Sequence, residues 1–476
     1  MNFKEFNLSN EILKTIKMLG YKSPTEVQEK VIPIALKDKD IIVKSQTGSG
    51  KTASFGIPVC EKVLLENKKP QVLILTPTRE LAVQIKEDIS NIGRFKKIKC
   101  VAVYGKEPVS IQKNQLKQRV HIVVGTPGRT FDHIEKGNME LSDIRYLIID
   151  EADKMLNMGF IDQVEDVIKR LPKDRVTMLF SATLEEKIEK LCVKYMNNPE
   201  KIEISKKNIT TDIIEQEYYE VESDRKFSLL NKIIYTERPD SCIIFCNTKA
   251  EVGSIAIKMK NKGFDTKALH GGMEQKDRLE VIQEFKRGRF PFLVATDVAA
   301  RGIDIEEITH VINYEVPAEK ESYVHRIGRT GRAGHKGKSI TLVSEYEYRR
   351  FKSIEEYIGY SVPKKEIPSE EEVQEGRKLF REKNKVRPKL KKDKSYEINK
   401  KITKIHINAG KKKKIRPGDI VGAINNIPGL TSDDIGIIDV QDAFSYVDIF
   451  GDKGKVVLKS LDSIKGKKVR VQIAKK

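Results

Sequence analysis

The chain has 476 residues, of which 39% are hydrophobic and 33% are charged. At ~150 residues per domain, this length predicts about three domains, and the composition argues against disordered, collagen-like and membrane-embedded proteins. No segment approaches the ~18 consecutive apolar residues of a membrane span, and the first residues lack the apolar core of a signal peptide. We therefore expect a cytoplasmic protein that does not associate with membranes.

The positive charge is concentrated in the C-terminal part of the chain. Residues 377–476 contain 27 Lys and Arg against 11 Asp and Glu, a net charge of +16, whereas residues 1–376 carry a net charge of +4. Because polyanions bind basic surfaces, this distribution indicates a polyanionic partner for the C-terminal segment. A tail whose lysines serve only solubility stays open as an alternative.

The cysteines do not form the pattern of a disulfide framework or a zinc site, because they are odd in number and lack CxxC spacing. They are Cys60, Cys100, Cys192, Cys242 and Cys246. Cys242 and Cys246 flank an apolar run, which favours buried thiols over metal ligands. Free cysteines fit a reducing cytoplasm.

Short apolar strands alternate with helix-like segments between residues 23 and 343. The strands are predicted at 41–44, 72–77, 121–127, 146–150, 177–183, 242–248, 292–297, 310–317 and 339–343. Such strands, separated by helices, predict parallel sheets covered by helices on both faces. One sheet would be too large for all of them, and residues 205–216 are polar without apolar periodicity. We therefore predict two α/β domains, at 1–205 and 213–360.

The remaining chain divides into a linker and a small domain. Residues 361–400 combine prolines with acidic and basic clusters and few apolar positions, which predicts a flexible charged linker. From residue 401 the pattern is strand, basic loop, helix, two strands, helix-like stretch and strand. This order predicts a compact α+β domain at 401–476 with one sheet and two helices.

The segment SQTGSGKT (45–52) follows the first predicted strand and precedes a helix, which is the context of a phosphate-binding P-loop. Lys51 would place a positive charge at the β- and γ-phosphates, and the Thr52 hydroxyl would ligate Mg²⁺. The first position of the general pattern is serine here instead of glycine. The other loop positions predicted to surround the phosphates are Ser45, Gln46, Thr47, Gly48, Ser49 and Gly50.

Two adjacent acidic residues, Asp150 and Glu151, follow an apolar run. The carboxyl ends of parallel strands meet at one edge of a sheet, so both acids are expected beside the P-loop. Asp150 suits water-mediated binding of Mg²⁺, and Glu151 suits general-base catalysis on the water that attacks the γ-phosphate. A surface acidic cluster that caps the next helix would not explain two acids directly after a buried strand.

The full set of motifs resembles that of the DEAD-box ATP-dependent RNA helicases. With DEAD at 150–153, the motifs are PTRELAVQ (77–84), TPGR (126–129), SAT (181–183), ATDVAARGID (295–304) and HRIGRTGR (325–332). They follow the family's order over about residues 3–350. The resemblance implies an α/β protein with two tandem RecA-like domains that close on ATP and single-stranded RNA together. It also implies an RNA-stimulated ATPase that separates short RNA duplexes.

The resemblance assigns nucleotide contacts outside the P-loop. GYKSPTEVQ (20–28) is similar to the family's Q motif, in which Gln28 would read adenine through its amide. Phe3 and Tyr21 would pack near the base, although ordinary core packing of either ring stays open. Asp304 would contact the ribose.

The resemblance also assigns catalytic roles to residues of later motifs. Arg329 and Arg332, one turn apart if their segment is helical, resemble the arginine fingers that neutralise charge on the transferred phosphoryl group. His325 would help to couple the ATP and RNA sites. Ser181 and Thr183 resemble the motif that links hydrolysis to strand separation.

The implied RNA contacts are mostly residue types that bind the RNA backbone, which favours recognition independent of sequence. They are Pro77, Thr78, Arg79, Thr126, Gly128 and Arg129 in the first domain, and Gln275, Arg278, Thr296 and Arg301 in the second. The chain departs from the family at Gly105 and Lys106, where two glycines are usual. Lys106 would add a phosphate contact at this position.

The C-terminal segment resembles RNA-binding domains in two respects. Phe444 and Tyr446 fit central positions of an RRM strand, where they would either form a stacking platform or pack beneath the linker. GKKKKIRPGDIVGAI (410–424) resembles the C-terminal domain of DbpA-type helicases, which deliver their core to large-subunit ribosomal RNA. The RNA-binding residues implied here are Lys411, Lys412, Lys413, Lys414, Arg416 and Tyr446.

Together these resemblances imply a monomeric RNA helicase that uses ATP and Mg²⁺. Its RRM-like C-terminal domain would direct it to large-subunit (23S-type) rRNA and pre-ribosomal particles, and the enzyme would act in assembly of the large ribosomal subunit. A general RNA chaperone or clamp without rRNA specificity, a DNA helicase and a protein-remodelling ATPase stay open as alternatives. The Q motif, the DEAD tetrad and the RRM-like tail argue against the DNA helicase.

Overall fold

The computed structural model describes residues 2–45, 48–204, 213–300, 308–331, 336–385, 390–391 and 395–474. The chain forms two compact units, Met1–Ile204 with Asp393–Lys476, and Ser205–Lys392. The first unit contains the first α/β domain (residues 2–204) and the C-terminal domain (residues 395–474). The second unit contains the second α/β domain (residues 213–385).

The first α/β domain is built on a seven-stranded sheet in the order β3-β4-β2-β5-β6-β1-β7, and every strand pair in it is parallel. Its strands are β1 (Ile41–Lys44), β2 (Val72–Leu75), β3 (Cys100–Val103), β4 (Ile122–Gly125), β5 (Tyr146–Asp150), β6 (Val176–Ser181) and β7 (Glu200–Glu203). Ile41 and Val43 enter one apolar core and Ile42 enters the other, so both faces of the sheet are covered, as predicted.

Nine α-helices of this domain lie in the described residues. They are α1 (Asn10–Met18), α2 (Glu26–Ala35), α3 (Lys51–Lys62), α4 (Arg79–Ile92), α5 (Val109–Leu116), α6 (Pro127–Glu135), α7 (Ala152–Asn157), α8 (Ile161–Arg170) and α9 (Glu186–Tyr195). Several begin directly after a strand. The connections at the carboxyl edge of the sheet are therefore short, and they carry the sequence motifs.

The second α/β domain has a parallel six-stranded sheet in the order β10-β11-β9-β12-β13-β8. Its strands are β8 (Ile214–Glu220), β9 (Cys242–Phe245), β10 (Thr266–Leu269), β11 (Phe292–Ala295), β12 (His310–Asn313) and β13 (Gly337–Val343). Its helices are α10 (Lys226–Glu237), α11 (Lys249–Asn261), α12 (Gln275–Lys286), α13 (Asp297–Ala300), α14 (Lys320–Ile327), α15 (Tyr348–Ile358) and α16 (Glu370–Lys385).

The prediction of a flexible linker at 361–400 is wrong for much of that segment. Helix α16 packs on α10, and its Val373 and Phe380 are buried. The Phe380 ring contacts Tyr235 edge-to-face at 5.6 Å. The few apolar residues of this segment recur on one side of a helix, which is enough to dock it. Upstream, the backbone around Lys364 pairs with Tyr218 of β8.

The C-terminal domain is an antiparallel four-stranded sheet in the order β15-β16-β14-β19, with a separate short hairpin of β17 and β18. In chain order its elements are α17 (Tyr396–Lys400), β14 (Ile402–Ile407), α18 (Pro417–Asn425), β15 (Ile435–Val440), β16 (Ser445–Phe450), α19 (Gly454–Ser460), β17 (Ser463–Ile464), β18 (Lys467–Lys468) and β19 (Val471–Ile473). The β-α-β-β-α-β order predicted from sequence is confirmed.

Within the first unit, the C-terminal domain packs on the first α/β domain beside the C-terminal end of α4. Asp448 and Phe450 lie on β16, and Asp439 lies on β15. The contacts are ion pairs of Arg94 with Asp448 at 3.1 Å and Lys99 with Asp439 at 2.9 Å, and the rings of Phe95 and Phe450 with centroids 5.2 Å apart. Burial raises the pKa of Asp448, and Arg94 opposes that rise. Charged and aromatic groups thus fix this packing.

All five cysteines are free and buried. Burial raises the pKa of Cys100 to about 12 and that of Cys192 to about 11. The buried-thiol interpretation of Cys242 and Cys246 is confirmed. In the part of the chain that the structure describes, no helix is both long enough and apolar enough to cross a bilayer.

Candidate active site and nucleic-acid interface

The P-loop connects β1 to α3 at the carboxyl edge of the first sheet. Gly48 and Gly50 adopt φ values of 84° and 90°, which residues with a side chain rarely tolerate. Lys51 is the first residue of α3, is buried, and its Nζ donates to the Ser45 carbonyl at 3.2 Å. The Ser45 N–H donates to the Ser181 carbonyl at 2.9 Å, which ties the loop to β6. The predicted contacts Gln46 and Thr47 lie outside the described residues.

The predicted Q motif supports the P-loop directly. Gln28 Nε2 donates to the Gly50 carbonyl at 3.1 Å, and Thr25 Oγ1 donates to the Ser49 carbonyl at 2.9 Å. Gln28 Oε1 in turn accepts the Thr25 N–H at 3.1 Å. Both ends of the Gln28 amide therefore bind the protein in this structure, and its reading of adenine stays a prediction.

The two aromatic residues assigned to the nucleotide base lie together. The rings of Phe3 and Tyr21 are stacked with centroids 6.2 Å apart. Phe3 is buried in the apolar core on one face of the sheet, and Tyr21 packs against that core. Core packing is thus part of their role, and a contact with the base stays a prediction.

The DEAD residues and the SAT motif are joined by hydrogen bonds. Asp150 ends β5, and β6 lies between β5 and β1 in the sheet. The Ser181 hydroxyl at the end of β6 accepts the Asp153 N–H at 3.1 Å and donates to the Thr183 carbonyl at 2.6 Å. This arrangement places the ends of three neighbouring strands, and hence the P-loop, DEAD and SAT motifs, at one edge.

The two adjacent acidic side chains, Asp150 and Glu151, are buried, and this burial alters the pKa of Asp150. Asp150 is 3% exposed, and its Oδ1 has no hydrogen-bond partner among the described residues. Burial raises the pKa of Asp150 to about 6; Lys51 opposes the rise and Glu151 adds to it. Glu151 has a left-handed backbone (φ 57°), and its Oε1 lies 2.5 Å from the buried Lys154 Nζ. A buried carboxylate with an unsatisfied oxygen is suited to receive a ligand.

The oxygen atoms at this edge fit a magnesium ion held partly by nucleotide phosphates. Mg²⁺ prefers oxygen ligands, retains several waters and commonly uses one or two carboxylates together with substrate phosphates. The unsatisfied Asp150 oxygen and the Thr52 hydroxyl in the first turn of α3 supply such groups. Among the described residues, no cluster of three or more His, Cys, Asp or Glu side chains could hold a metal alone.

The predicted RNA contacts of the first domain lie at the same edge, beyond the ends of β2 and β4. Pro77 and Thr78 precede α4, and the Thr78 side chain caps it by accepting the Leu81 N–H at 3.3 Å. Thr126 precedes α6, and Gly128 and Arg129 lie in its first turn. Since β5 and β2 are neighbours, the ATP and RNA motifs occupy adjacent parts of one sheet edge.

A buried polar network holds the loop that departs from the family. Arg129 Nη1 donates to the Glu107 carbonyl and to Gln112 Oε1, both at 2.9 Å. Gln112 Nε2 donates to the Tyr104 carbonyl at 2.9 Å and to the Glu107 carboxylate at 2.7 Å. Lys106 is exposed and takes a left-handed conformation with φ 62°, where glycine would be less strained. The network can stabilise that conformation.

Arg79 lies beside this loop. A Cβ atom added at Gly105 would stand 3.4 Å from Arg79 Nη2 and 3.5 Å from its Nε. The guanidinium therefore passes close to the Gly105 backbone. A side chain at position 105 would therefore pack in van der Waals contact with the Arg79 guanidinium.

The second domain is organised by a buried arginine that sequence reasoning did not single out. Arg326 on α14 is 1% exposed. Its Nε and Nη2 donate to the two carboxylate oxygens of Asp297 at 2.6 and 2.7 Å. It also donates to the Glu315 carbonyl at 2.7 Å and to Asn247 Oδ1 at 2.8 Å. One side chain thus joins the HRIGRTGR and ATDVAARGID motifs.

The predicted site residues of the second domain occupy several element ends. Gln275 and Arg278 are buried at the start of α12, and Thr296 follows β11. His325 lies on α14, and Arg329 is buried with its Nε donating to the His325 carbonyl at 3.2 Å. Helix α14 ends at Ile327, so Arg329 is not on a helical turn as the prediction allowed. The remaining predicted residues, which lie outside the described part of the chain, are Arg301, Asp304 and Arg332.

The outer face of the C-terminal sheet carries an aromatic cluster. The rings of His406, Phe444 and Tyr446 are half-buried and contact one another, with centroids 5.3 to 5.5 Å apart. Lys404 Nζ lies 5.3 Å from the Tyr446 ring centroid. Residues that alternate with them, such as Val447, enter the core on the other face. The rings face away from the core, as a stacking platform requires.

The basic loop of this domain is exposed and anchored through its backbone. The Lys411 and Lys412 N–H groups donate to the carbonyls of Gln441 and Asp442 at 2.9 and 2.8 Å. Lys411, Lys412, Lys414 and Arg416 are exposed, while Lys413 is half-buried. Because the side chains are not needed for this anchoring, their charges are available to phosphates.

Comparison with known proteins decides the family. The chain matches the family models DEAD/DEAH box helicase over residues 25–191, Helicase conserved C-terminal domain over residues 225–334 and DbpA RNA binding domain over residues 404–473. It is 57% identical over 477 residues to the ATP-dependent RNA helicase DbpA of Bacillus subtilis, covering 100% of both chains. The chain belongs to the DbpA-like DEAD-box helicases. It is an ATP-dependent RNA helicase with a DbpA-type RNA-binding domain.

Two further proteins support the assignment of the helicase core. The DEAD-box ATP-dependent RNA helicase CshA of Geobacillus kaustophilus is 41% identical over 374 residues, which is 79% of this chain and 80% of CshA. The structure of S. cerevisiae Dbp5 bound to RNA and ADP BeF3 is 31% identical with a TM-score of 0.70, covering 80% of this chain and 99% of that chain. The predicted pair of RecA-like domains with a small C-terminal domain is confirmed.

The residues that sequence reasoning missed in the helicase are mostly buried polar partners. Arg326, Asp297 and Lys154 lie inside quoted motifs or next to them, but the motifs do not show which charged residue is buried. Gln112 lies outside every motif. The apolar run FLVA just before Asp297 was the available signal, and no comparable run adjoins Arg326.

The P-loop geometry predicts a specific effect of Gly50→Ala. A Cβ atom at Gly50 would stand 2.6 Å from Gln28 Nε2 and 3.0 Å from Thr25 Oγ1, at a φ of +90°. This clash should displace the P-loop and cost at least ~1.4 kcal/mol of ATP binding free energy. Such a loss corresponds to a roughly tenfold lower ATP affinity. Titration with a fluorescent ATP analogue measures this effect.

The matched control is Gly159→Ala. Gly159 has φ +73°, but a Cβ atom there would meet nothing within 4 Å. Its replacement should cost roughly 1–2 kcal/mol of stability through backbone strain alone and leave ATP affinity unchanged. Equal ATP affinities for the two variants would contradict a role in ATP binding for the contacts between the Q motif and the loop.

Proposed function

We propose that the helicase uses ATP and Mg²⁺ to separate short duplexes of large-subunit rRNA during assembly of the large ribosomal subunit. The observation that carries this proposal is the exposed basic loop of a domain that matches the DbpA RNA-binding family. The net charge of +16 between residues 377 and 476 favours a structured polyanion as its ligand. The ATP motifs supply the energy source for strand separation.

In this proposal the first domain performs the chemistry. The P-loop backbone and Lys51 hold the phosphates, and Glu151 accepts the proton of the attacking water. Asp150 and Thr52 would hold Mg²⁺, which neutralises charge on the phosphate oxygens when it is bound. The ion pair with Lys154 fixes the Glu151 carboxylate, because both side chains are buried.

The second domain contributes further positive charge. By its likeness to the family's motif, Arg329 acts with Arg332 on the transferred phosphoryl group, an effect that is typically worth 10³–10⁵ in turnover. The contacts of Arg326 support this role, since they fix the last turn of α14, from which the motif continues. ATP and single-stranded RNA would then favour the same closed state, and hydrolysis would release the RNA.

Specificity and strand separation are divided between domains in this account. The RNA motifs at the edge of the first sheet lie at the starts of helices and contain small residues. Both features suit contacts with the backbone of any RNA strand. The C-terminal domain offers lysines and a ring cluster instead, which can select one RNA element. Tethering of the core near that element would raise its local concentration there.

Loss of the lysine side chains in the basic loop should remove the preference for rRNA. We expect Lys411→Gln combined with Lys412→Gln to abolish the stronger ATPase stimulation by large-subunit rRNA over unrelated RNA, because charge-assisted contacts to phosphates are lost. Stimulation by a short single strand at saturation should persist. The measurement is ATP turnover with large-subunit rRNA, small-subunit rRNA, unrelated RNA and DNA as activators.

The matched control replaces Lys455 and Lys459 with glutamine, since both are exposed on α19 of the same domain. Deletion of residues 401–476 gives the limiting case. If the chain preferred large-subunit rRNA equally in all four forms, the C-terminal domain would not be the source of specificity. If DNA stimulated as well as RNA, the proposal that RNA is the substrate would fail.

A further inference from the structure

A large groove lies within the first unit, between the first α/β domain and the C-terminal domain. Its volume is about 1130 Å³, which exceeds the roughly 300–1,000 Å³ of common small-molecule pockets. On the α/β side it is lined by segments that precede β2, β3, β4 and β5. Because the sheet is parallel, this is the amino edge, opposite the edge that carries the ATP and RNA motifs.

The wall formed by the α/β domain is strongly basic. Its charged and titratable lining residues are Lys68, Lys69, Lys97, Lys99, Lys113, Lys117, Arg119, His121, Lys136 and Glu140. Glu140 is the one acidic residue in this set, and it pairs with Lys69 at 2.8 Å. Lys68, Lys113 and Lys117 are exposed and form no ion pair with any described residue. Unpaired cations so close together indicate an anionic ligand.

The wall formed by the C-terminal domain differs in character. It consists of Pro417, Gly418 and Val421 of α18 and residues 436–438 of β15. A Cβ atom at Gly418 would meet nothing within 4 Å, so the groove is open at this point. A mostly apolar wall opposite a cationic wall suits a polymer with ribose on one side and phosphate on the other.

The groove is continuous with the basic loop of the C-terminal domain. Arg416 immediately precedes Pro417, which lines the groove. Burial lowers the pKa of Lys99 in the groove; Asp439 opposes that fall, whereas Lys411 of the loop adds to it. The Gln441 carbonyl, which accepts the Lys411 N–H at 2.9 Å, lies two residues along the chain from Asp439, the ion-pair partner of Lys99. The ion pairs of Arg94 and Lys99 with the C-terminal sheet hold the two walls together.

We propose that this groove, here called the basic groove, binds the phosphate backbone of RNA that extends from the element held by the C-terminal domain. It is a second RNA-binding surface, separate from the carboxyl edge where the family motifs lie. RNA flanking the recognised element is anchored there, and the carboxyl edge stays available for the strand that is to be separated. This role depends on backbone charge and is independent of which rRNA element the domain selects.

The test compares two triple variants of the full-length chain. Lys68→Gln, Lys113→Gln and Lys117→Gln remove three exposed charges from the basic groove. Lys37→Gln and Lys173→Gln remove exposed charges that precede β1 and β6, and Lys201→Gln removes one within β7, near its amino end. These three strands lie at the other end of the sheet. Both triple variants change net charge equally, so a general electrostatic effect would be the same for both.

The probes are a stem-loop RNA alone, the stem-loop with a duplex extension and the stem-loop with a single-stranded extension. Affinity is measured over a range of salt concentrations. For the groove variant we expect the slope of log K against log salt to fall by roughly 2–3 for an extended probe, because each lost phosphate contact contributes about 0.9 for duplex and 0.7 for single strands. Affinity at low salt should fall about tenfold or more. The probe with the larger effect identifies the bound form.

The outcome that would overturn the proposal is an equal salt slope for the groove variant and the control variant with every extended probe. Thermal unfolding of both variants should give the same midpoint as the unchanged chain, which excludes misfolding as the cause of weaker binding. A second measurement uses the unchanged chain with 4-thiouridine in the extension. Crosslinks to residues 113–119 support the basic groove, whereas crosslinks confined to the carboxyl edge and the basic loop contradict it.

Discussion

Replacement of Glu151 by glutamine should slow ATP hydrolysis by roughly 10²–10⁴, the usual contribution of a general base. The glutamine side chain has nearly the same shape as glutamate, but it cannot accept the proton of the attacking water. The P-loop, Lys51 and Gln28 are untouched by the change, so ATP affinity should stay within a few-fold of its original value. Single-turnover hydrolysis and titration with a fluorescent nucleotide measure the two quantities separately.

A stability measurement and a control variant distinguish loss of chemistry from loss of structure. The Glu151 carboxylate pairs with the buried Lys154, so the substitution should also lower the unfolding temperature of the first domain. Glu189→Gln, at an exposed position on α9, makes the same chemical change away from the site. The assignment of Glu151 would be wrong if both variants hydrolysed ATP at the original rate.

Replacement of Arg326 by alanine should be the most destabilising single change in the second domain that the structure suggests. Removing one partner of a fully buried ion pair costs about 3–5 kcal/mol. Arg326 is 1% exposed with both Asp297 oxygens as partners, but the Asp297 side chain keeps 22% of its exposure, so the cost should lie near the lower end of that range. ATP turnover should fall as well, because α14 also carries His325. Hydrogen exchange of β9, β11 and β12 in the full-length chain reports the stability of this domain.

The controls for Arg326 separate charge from geometry. Arg326→Lys keeps the charge but loses the planar fork that binds Asp297 through two nitrogens, so its loss of protection should be intermediate. Arg349→Ala removes an exposed arginine of α15 and should have little effect. Unchanged hydrogen exchange in Arg326→Ala would show that the network does not stabilise the domain.

The strands that sequence predicted are those with continuous apolar residues. IIVK at β1 and YLIID at β5 were located to the residue. Strands β3, β7, β8 and β10 were missed, and β7 and β8 show why, since their sequences EKIE and IEQEYYE are charged. Half-exposed or edge strands of this kind depend on pairing with neighbours, which local patterns do not reveal.

Helix α16 was missed for a related reason. Its sequence is mostly charged, and only a few residues such as Val373 and Phe380 are buried. Whether such a segment is a linker or a docked helix depends on a complementary surface elsewhere in the chain. Here α10 and Tyr235 supply that surface.

The sequence predicted those parts of the site whose positions follow from the order of the parallel strands. Parallel strands end at Asp150 and Ser181, and the P-loop follows a third. Their proximity therefore follows from strand order. The hydrogen bond of Gln28 to Gly50 and the pairing of Arg326 with Asp297 do not follow from any local pattern. They join residues 22 and 29 positions apart and depend on how helices pack on the sheet.

The basic groove could not be predicted from the sequence for the same reason. Its cations are spread over four segments of the first domain, and the exposed ones, which include Lys68, Lys113, Lys117 and Arg119, do not form a continuous charge run. The contact of Arg94 with Asp448 spans 354 positions. Charge counts along the chain located the basic loop at Lys411 but not the surface beside it.

We expect ATP and single-stranded RNA to stabilise one common state of the helicase. The most direct test measures the affinity of Glu151→Gln for a short single-stranded RNA with and without saturating ATP. Coupling between two sites is reciprocal and commonly amounts to about 5–150-fold, so we expect tighter RNA binding with ATP and an equal gain in ATP affinity with RNA. RNA affinity that is the same with and without ATP would contradict this expectation.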